Sequence, residues 1–94
     1  MKKVINQVAK NGIILIEEQK HSNGVKQFIF DCGNGYQASV VRGGGITYGG
    51  NHGKFELAIF KDGEICYDTP ITSDVLGYLT KREVEKTLLE ISKL

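Results

Sequence analysis

The sequence lacks the features that mark several common protein classes. It has only two cysteines, and its longest aliphatic run covers residues 13–16. A membrane-spanning helix needs about twenty apolar residues, so none is predicted. The first residues include two lysines but no apolar stretch, which is unlike a secretory signal. Isolated cysteines are typical of a reduced cytoplasmic chain, and we expect Cys32 and Cys66 to be buried, inert thiols.

An excess of charge of one sign is also lacking. Twelve Lys and Arg residues face eleven Asp and Glu residues, which gives a net charge of +1. Because nucleic-acid binders usually carry a basic stripe and these charges are dispersed, general nucleic-acid binding is not expected. The apolar fraction of 40% is ordinary for a globular protein. A chain of 94 residues is long enough for one core, so residues 1–94 are predicted to form a single domain.

Motifs for metal binding and covalent catalysis are missing as well. The candidate ligands Cys32, Cys66, His21 and His52 show none of the short paired spacings of structural zinc sites. Cys66 or Ser39 would need His52 and an aspartate beside it to act as a nucleophile, and no pattern places them together. No catalytic residue, metal or cofactor is predicted, and a binding protein is favoured over an enzyme.

Turn signals between β-rich segments dominate the first two thirds of the chain. Asn23-Gly24 and Asn34-Gly35 separate apolar runs, and Asn-Gly is the strongest short-range signal for a hairpin with a type I′ turn. Asp62-Gly63 is a third tight-turn pair. We therefore predict an antiparallel meander of four or five strands. The predicted strands are 13–16, 25–32, 36–41, 54–60 and 64–67.

The clearest helical signal lies near the C-terminus. Thr80 and Glu83 match a capping box, in which each residue's side chain binds the other's backbone N–H. Val84, Leu88 and Ile91 then follow at helical spacing and form one apolar stripe. Such a stripe is expected to pack on a face of the sheet, which places the chain in the α+β class.

The sequence also predicts a short N-terminal helix, a polar turn before the C-terminal helix, and a homodimer. Residues 2–10 suit a short helix ending near Gly12, with an extended N-terminus as the alternative. Residues 72–77 are predicted to form a polar turn, in which Asp74 could cap one helical turn.

The strand at 25–32 has apolar residues on both faces, and one helix covers only one face of a sheet. A homodimer is therefore expected.

Glycine is the unusual component, with six of twelve glycines between positions 43 and 53. Glycines let the backbone approach a ligand and aim several N–H groups at an anion, while arginine, histidine, lysine and tyrosine add charge and a stacking face. The Walker and dinucleotide patterns are absent. A mobile hairpin loop without a ligand is the alternative. The candidate binding residues are Arg42, Gly43, Gly44, Gly45, Tyr48, Gly49, Gly50, His52 and Lys54.

Four stretches between residues 33 and 94 carry a family resemblance: 35–42, 48–50, 55–58 and 67–75. They are similar to a family of small uncharacterised bacteriophage and prophage proteins. The resemblance implies a phage-encoded accessory protein in the cytoplasm of a bacterial host, and it assigns no reaction or ligand. Together with loop 42–54, it predicts a non-enzymatic binding module on a host or phage macromolecule, such as an inhibitor of a host system. The alternative is a small anionic ligand, such as a nucleotide, bound by the same loop.

Overall fold

The computed structural model describes residues 1–22, 24–42, 54–67, 69–71 and 75–94. These residues form two helices and six strands. In chain order they are α1 (Lys2–Ala9), β1 (Ile14–Lys20), β2 (Lys26–Asp31), β3 (Tyr36–Arg42), β4 (Phe55–Lys61), β5 (Glu64–Ile65), β6 (Leu76–Leu79) and α2 (Lys81–Ile91).

The strands form one antiparallel sheet with the order β1-β2-β3-β4. Both β5 and β6 pair with the remaining edge of β4, β5 near its end and β6 near its start. The α+β prediction is confirmed, and the sheet has one strand more than the largest number predicted. The short helix at residues 2–10 also forms, as α1.

Both helices pack on the same face of the sheet. α1 lies beside α2 and over β1, while α2 lies over β3, β4 and β6. Alternate residues of β2, β3 and β4 point to this face, because successive side chains of a strand alternate in direction. The fully buried side chains include Phe30, Phe55, Leu57, Ile59, Val8, Val84, Leu88 and Ile91. The predicted stripe of α2 is therefore part of the core, together with Val4 and Val8 of α1.

Both Asn-Gly hairpins form, but neither has the predicted two-residue turn. In the first, the His21 N–H donates to the Val25 carbonyl at 2.8 Å and the Gly24 N–H donates to the His21 carbonyl at 3.0 Å. Gly24 thus closes the turn and is not one of its central residues. In the second, the Cys32 N–H donates to the Tyr36 carbonyl at 3.0 Å, across a three-residue loop. Three-residue hairpin loops with glycine in the left-handed region are the next most common class.

The type I′ turn lies instead at Asp62-Gly63. These residues have φ values of 55° and 81°, and the flanking residues Lys61 and Glu64 are paired. A type I′ turn requires positive φ at both central residues, and Asp and Gly adopt it with little strain. The strand that follows is shorter than predicted, since β5 ends at Ile65.

The predicted polar turn at 72–77 is wrong at its end, because Leu76 and Gly77 belong to β6. Asp74, the proposed cap, lies outside the described residues. Leu76 is paired with Leu57 and Leu79 with Phe55, so β6 advances by three residues where β4 advances by two. The extra residue makes a bulge, and Tyr78 in it has a φ of 58°. Apolar and polar residues do not alternate clearly along this irregular strand, which explains why the sequence pattern did not predict β6.

The capping box of α2 forms as predicted. The Glu83 N–H donates to Thr80 Oγ1 at 3.1 Å, and the Thr80 N–H donates to Glu83 Oε1 at 2.9 Å. We expect Thr80→Ala to lower the free energy of unfolding by about 1 kcal/mol, because it removes an acceptor for an otherwise unpaired helix N–H. Thr80→Ser keeps that acceptor and is the control. Urea unfolding measures both, and equal losses would contradict a capping role for the hydroxyl.

The opposite face of the sheet carries no helix among the described residues. By register, Ile14 and Ile65 point to this face, and they are 50% and 41% exposed. Ile29 is half-buried there, whereas Val25 is buried at 4% exposure and adds nothing to an exposed surface. The expected homodimer through this face stays a prediction.

Candidate functional site

The structure describes two of the nine candidate binding residues, Arg42 and Lys54. Arg42 is the last residue of β3 and is exposed, and Lys54 precedes the first residue of β4 and is half-buried. They are the two ends of the glycine-rich segment. The other seven candidates lie outside the described residues: Gly43, Gly44, Gly45, Tyr48, Gly49, Gly50 and His52.

The sheet register places further residues beside Arg42. Lys26, the first residue of β2, is paired with Arg42. On the other side, Arg42 Cζ lies 5.9 Å from the centroid of the Phe55 ring. Phe55 is in turn paired with Leu79, which ends β6 just before the N-cap of α2. One end of the sheet therefore brings β2, β3, β4 and the start of α2 together.

The pKa of the Met1 amino group is affected by the cations at this end of the sheet. Partial burial lowers the pKa of this amino group, and the positive charges of Lys81, Arg42 and Lys26 lower it further. The Glu18 carboxylate acts in the opposite direction and raises this pKa. The three cations and Glu18 therefore all lie within electrostatic range of the Met1 amino group.

Lys54 belongs to the same region. The backbone N–H of Thr80 is the main cause of the lowered pKa of Glu83, followed by the Thr80 hydroxyl, and Lys54 and Lys86 add smaller contributions. The Lys54 ammonium therefore lies near the start of α2. We call Lys26, Arg42, Lys54 and Lys81 the cationic end of the protein.

Two members of the cationic end, Lys26 and Lys81, were missed by the sequence reasoning. Lys81 carries a signal that could have revealed it, since a cation at the first position of a helix opposes the helix dipole and is unfavourable there. Lys26 carries no local signal. Its position opposite Arg42 depends on the length of the hairpin loop between β2 and β3, where the predicted turn type is wrong.

A groove of about 460 Å³ lies between α1 and strands β1 and β2. Phe28 is the buried residue of the groove, Met1 and Ile5 are half-buried, and Lys26 connects the groove with the cationic end. We call it the α1 groove. Its lining residues are Met1, Lys2, Ile5, Asn6, Glu18, Lys26 and Phe28.

Ser39, a candidate nucleophile in sequence, is held in a different arrangement. Its hydroxyl accepts a hydrogen bond from Gln27 Nε2 at 2.9 Å, and Gln27 Oε1 lies 3.0 Å from His21 Nε2. Because the Gln27 oxygen can only accept, His21 Nε2 is the donor in this assignment. A carboxamide between imidazole and hydroxyl does not relay a proton, so His21 does not activate Ser39. The predicted partner His52 lies outside the described residues.

The two cysteines are free thiols with different environments. Cys32 is buried, and burial raises the pKa of its thiol to about 12, with a further rise from the nearby Asp31 carboxylate. Since the thiolate is the reactive species, Cys32 is inert at neutral pH. Cys66 is half-buried, so the expectation of a buried thiol is wrong for this residue. Within the described ranges, no three His, Cys, Asp or Glu side chains cluster to hold a metal ion.

This difference predicts selective thiol labelling. In the native protein, Cys66 should react with a small alkylating reagent at least about tenfold faster than Cys32, because Cys66 is more exposed and the raised pKa of Cys32 leaves that thiol with almost no thiolate. Mass spectrometry of peptides from partly labelled protein measures the two rates. Labelling in denaturant is the control and should equalise them. A faster reaction at Cys32 in the native protein would contradict the assigned burial.

No helix in the described part of the chain is long and apolar enough to cross a membrane. Comparison with protein-family models, with curated proteins and with solved structures finds no match to the chain.

Proposed function

We propose that this protein is a non-enzymatic binding module that holds an anionic surface of another macromolecule at its cationic end, where loop 42–54 leaves and rejoins the sheet. Two observations carry the proposal. Lys26 is paired with Arg42 across β2 and β3, and the Arg42 guanidinium lies beside Phe55, which is paired with Leu79 next to the start of α2. The overall charge is only +1, so this local excess of cations is not a property of the whole surface. Concentrated positive charge steers and orients an anionic partner.

Exposure of the cations favours a large partner over a small anion. Lys26, Arg42 and Lys81 are all exposed, so each ion pair with a ligand would remain hydrated and contribute about 1 kcal/mol or less. A single small anion touches few of these groups at once. A macromolecular surface can contact all of them and exclude water between them, which strengthens every contact. The small anionic ligand, such as a nucleotide, is therefore the second candidate.

Affinity capture from a bacterial lysate tests the proposal. The bait is compared with two double variants, Lys26→Glu/Lys81→Glu at the cationic end and Lys10→Glu/Lys93→Glu, which changes the net charge equally at the C-terminal ends of α1 and α2. Both variants must show the circular dichroism of the wild type and a cooperative melting transition, although negative charges at the C-terminal ends of helices are expected to lower the melting temperature of the second variant. The expected result is a partner lost with the first variant, retained with the second and released by salt.

Two other results would decide against the proposal. Equal recovery of every partner by both double variants would remove the cationic end from function. A rise in melting temperature with nucleotides or phosphate esters, lost in Lys26→Glu/Lys81→Glu, would support the second candidate if capture finds no partner.

A further inference from the structure

We infer that the partner is a protein segment in which an acidic residue adjoins an aromatic or aliphatic side chain, and that this apolar side chain enters the α1 groove. The inference rests on the proposed function and adds the chemical class of the partner. The groove volume of about 460 Å³ falls in the range of ligand pockets and exceeds what one side chain needs.

The groove and the cationic end are continuous. Lys26 lines the groove and also pairs with Arg42 across β2 and β3. A partner carboxylate at Lys26 therefore places the adjoining residue of the same segment over Ile5 and Phe28. Phe28 is 6% exposed and belongs to the core, so the base of the groove is fixed by packing and needs little reorganisation.

The remaining groove residues favour a peptide over a nucleic acid. Glu18 places a carboxylate in the wall, and a phosphate backbone following the groove would be repelled there. A peptide can direct its carboxylates towards Lys2 and Lys26 and keep an apolar side chain near Glu18. The exposed carboxamide of Asn6 offers a donor and an acceptor, which match a peptide group.

The decisive experiment is a double-mutant cycle with defined probes, read by fluorescence polarisation on the full chain. One probe is a fluorescein-labelled acidic peptide with a single central phenylalanine, and the second has serine in place of that phenylalanine. A fluorescein-labelled oligothymidylate is the third. Wild-type protein should bind the phenylalanine peptide roughly tenfold tighter than the serine peptide, the effect of partly burying one aromatic side chain.

Ile5→Ala should remove most of this preference, because it removes part of the apolar lining. Ile16→Ala changes an exposed isoleucine on the bulge of β1 and should leave the preference unchanged. Lys26→Glu/Lys81→Glu should weaken both peptides by a similar factor. Melting temperatures confirm that each variant is folded.

The outcomes separate the two proposals. If the charge reversal weakens both peptides but the phenylalanine has no effect, or keeps its effect in Ile5→Ala, the groove inference is overturned and the proposed function stands. If neither peptide responds to the charge reversal, the proposed function fails. Tighter binding of oligothymidylate than of either peptide overturns the assignment to a protein partner.

Discussion

Replacing Phe30 with alanine is expected to lower the free energy of unfolding by about 3–5 kcal/mol. Phe30 is fully buried, at the centre of the face that α1 and α2 cover. Truncation removes the transfer free energy of the ring and leaves a cavity that the rigid sheet cannot close. A domain of this size has only modest stability, so this loss is a large part of the total.

The neighbouring residue provides the matched control. Ile29 is adjacent in β2 but points to the opposite face and is half-buried. Ile29→Ala should therefore cost less than half as much as Phe30→Ala, although both remove several carbon atoms. Urea unfolding with an unchanged m-value gives the comparison, and Phe30→Leu provides a folded variant if Phe30→Ala is too unstable. Equal losses at the two positions would contradict the one-sided core.

Replacing Asn34 with aspartate is expected to lower the free energy of unfolding by about 2 kcal/mol at neutral pH. Asn34 Nδ2 donates to the carbonyl of Ile91, the last residue of α2, at 2.8 Å, and Asn34 Oδ1 accepts from the Tyr36 N–H at 3.3 Å. An aspartate can keep the second contact but not the first. It also places a negative charge against the negative end of the helix dipole.

The pH dependence of this variant has a defined sign. The helix carbonyls disfavour the ionised aspartate in the folded state, so its folded pKa lies above its unfolded pKa. The folded protein then binds the proton first, and the stability gap to wild type narrows as pH falls through this range. Asn34→Ala lacks the carboxyl and should show a constant gap. A gap for Asn34→Asp that does not change with pH would contradict the helix-capping role of residue 34.

Local sequence patterns predicted the parts of the fold that depend on neighbouring residues. The capping box of Thr80 and Glu83 formed because both hydrogen bonds lie within four residues of chain. The apolar stripe of α2 was equally readable, since a helix fixes which side chains share a face.

Asn34 shows why other parts could not be predicted. Its side chain is used to hold the end of α2, which lies 57 residues further along the chain. Asn34-Gly35 therefore predicts a hairpin correctly, but the three-residue loop also includes a tertiary contact that no local pattern contains. β6 is similar, because its pairing with β4 around a bulge depends on the edge that β4 presents.

The binding site at the glycine-rich segment stays a prediction, and the proposed cationic end shares only two residues with it. The glycine-rich segment drew attention to Arg42 and Lys54, and both lie at the cationic end. Lys26 and Lys81 join them only through strand register and the start of α2, since they stand far apart in sequence. The predicted phage origin and the host target remain predictions.

Mapping the contact surface tests the central claim most directly. Backbone amide NMR signals of the labelled protein are followed while the phenylalanine-containing acidic peptide is added at low salt and again at high salt. The expected shifts are centred on Lys26, Arg42 and Lys81, extend to Ile5, and weaken at high salt because exposed charges are screened. Shifts centred on the helix-free face of the sheet, or shifts that do not depend on salt, would contradict binding at the cationic end.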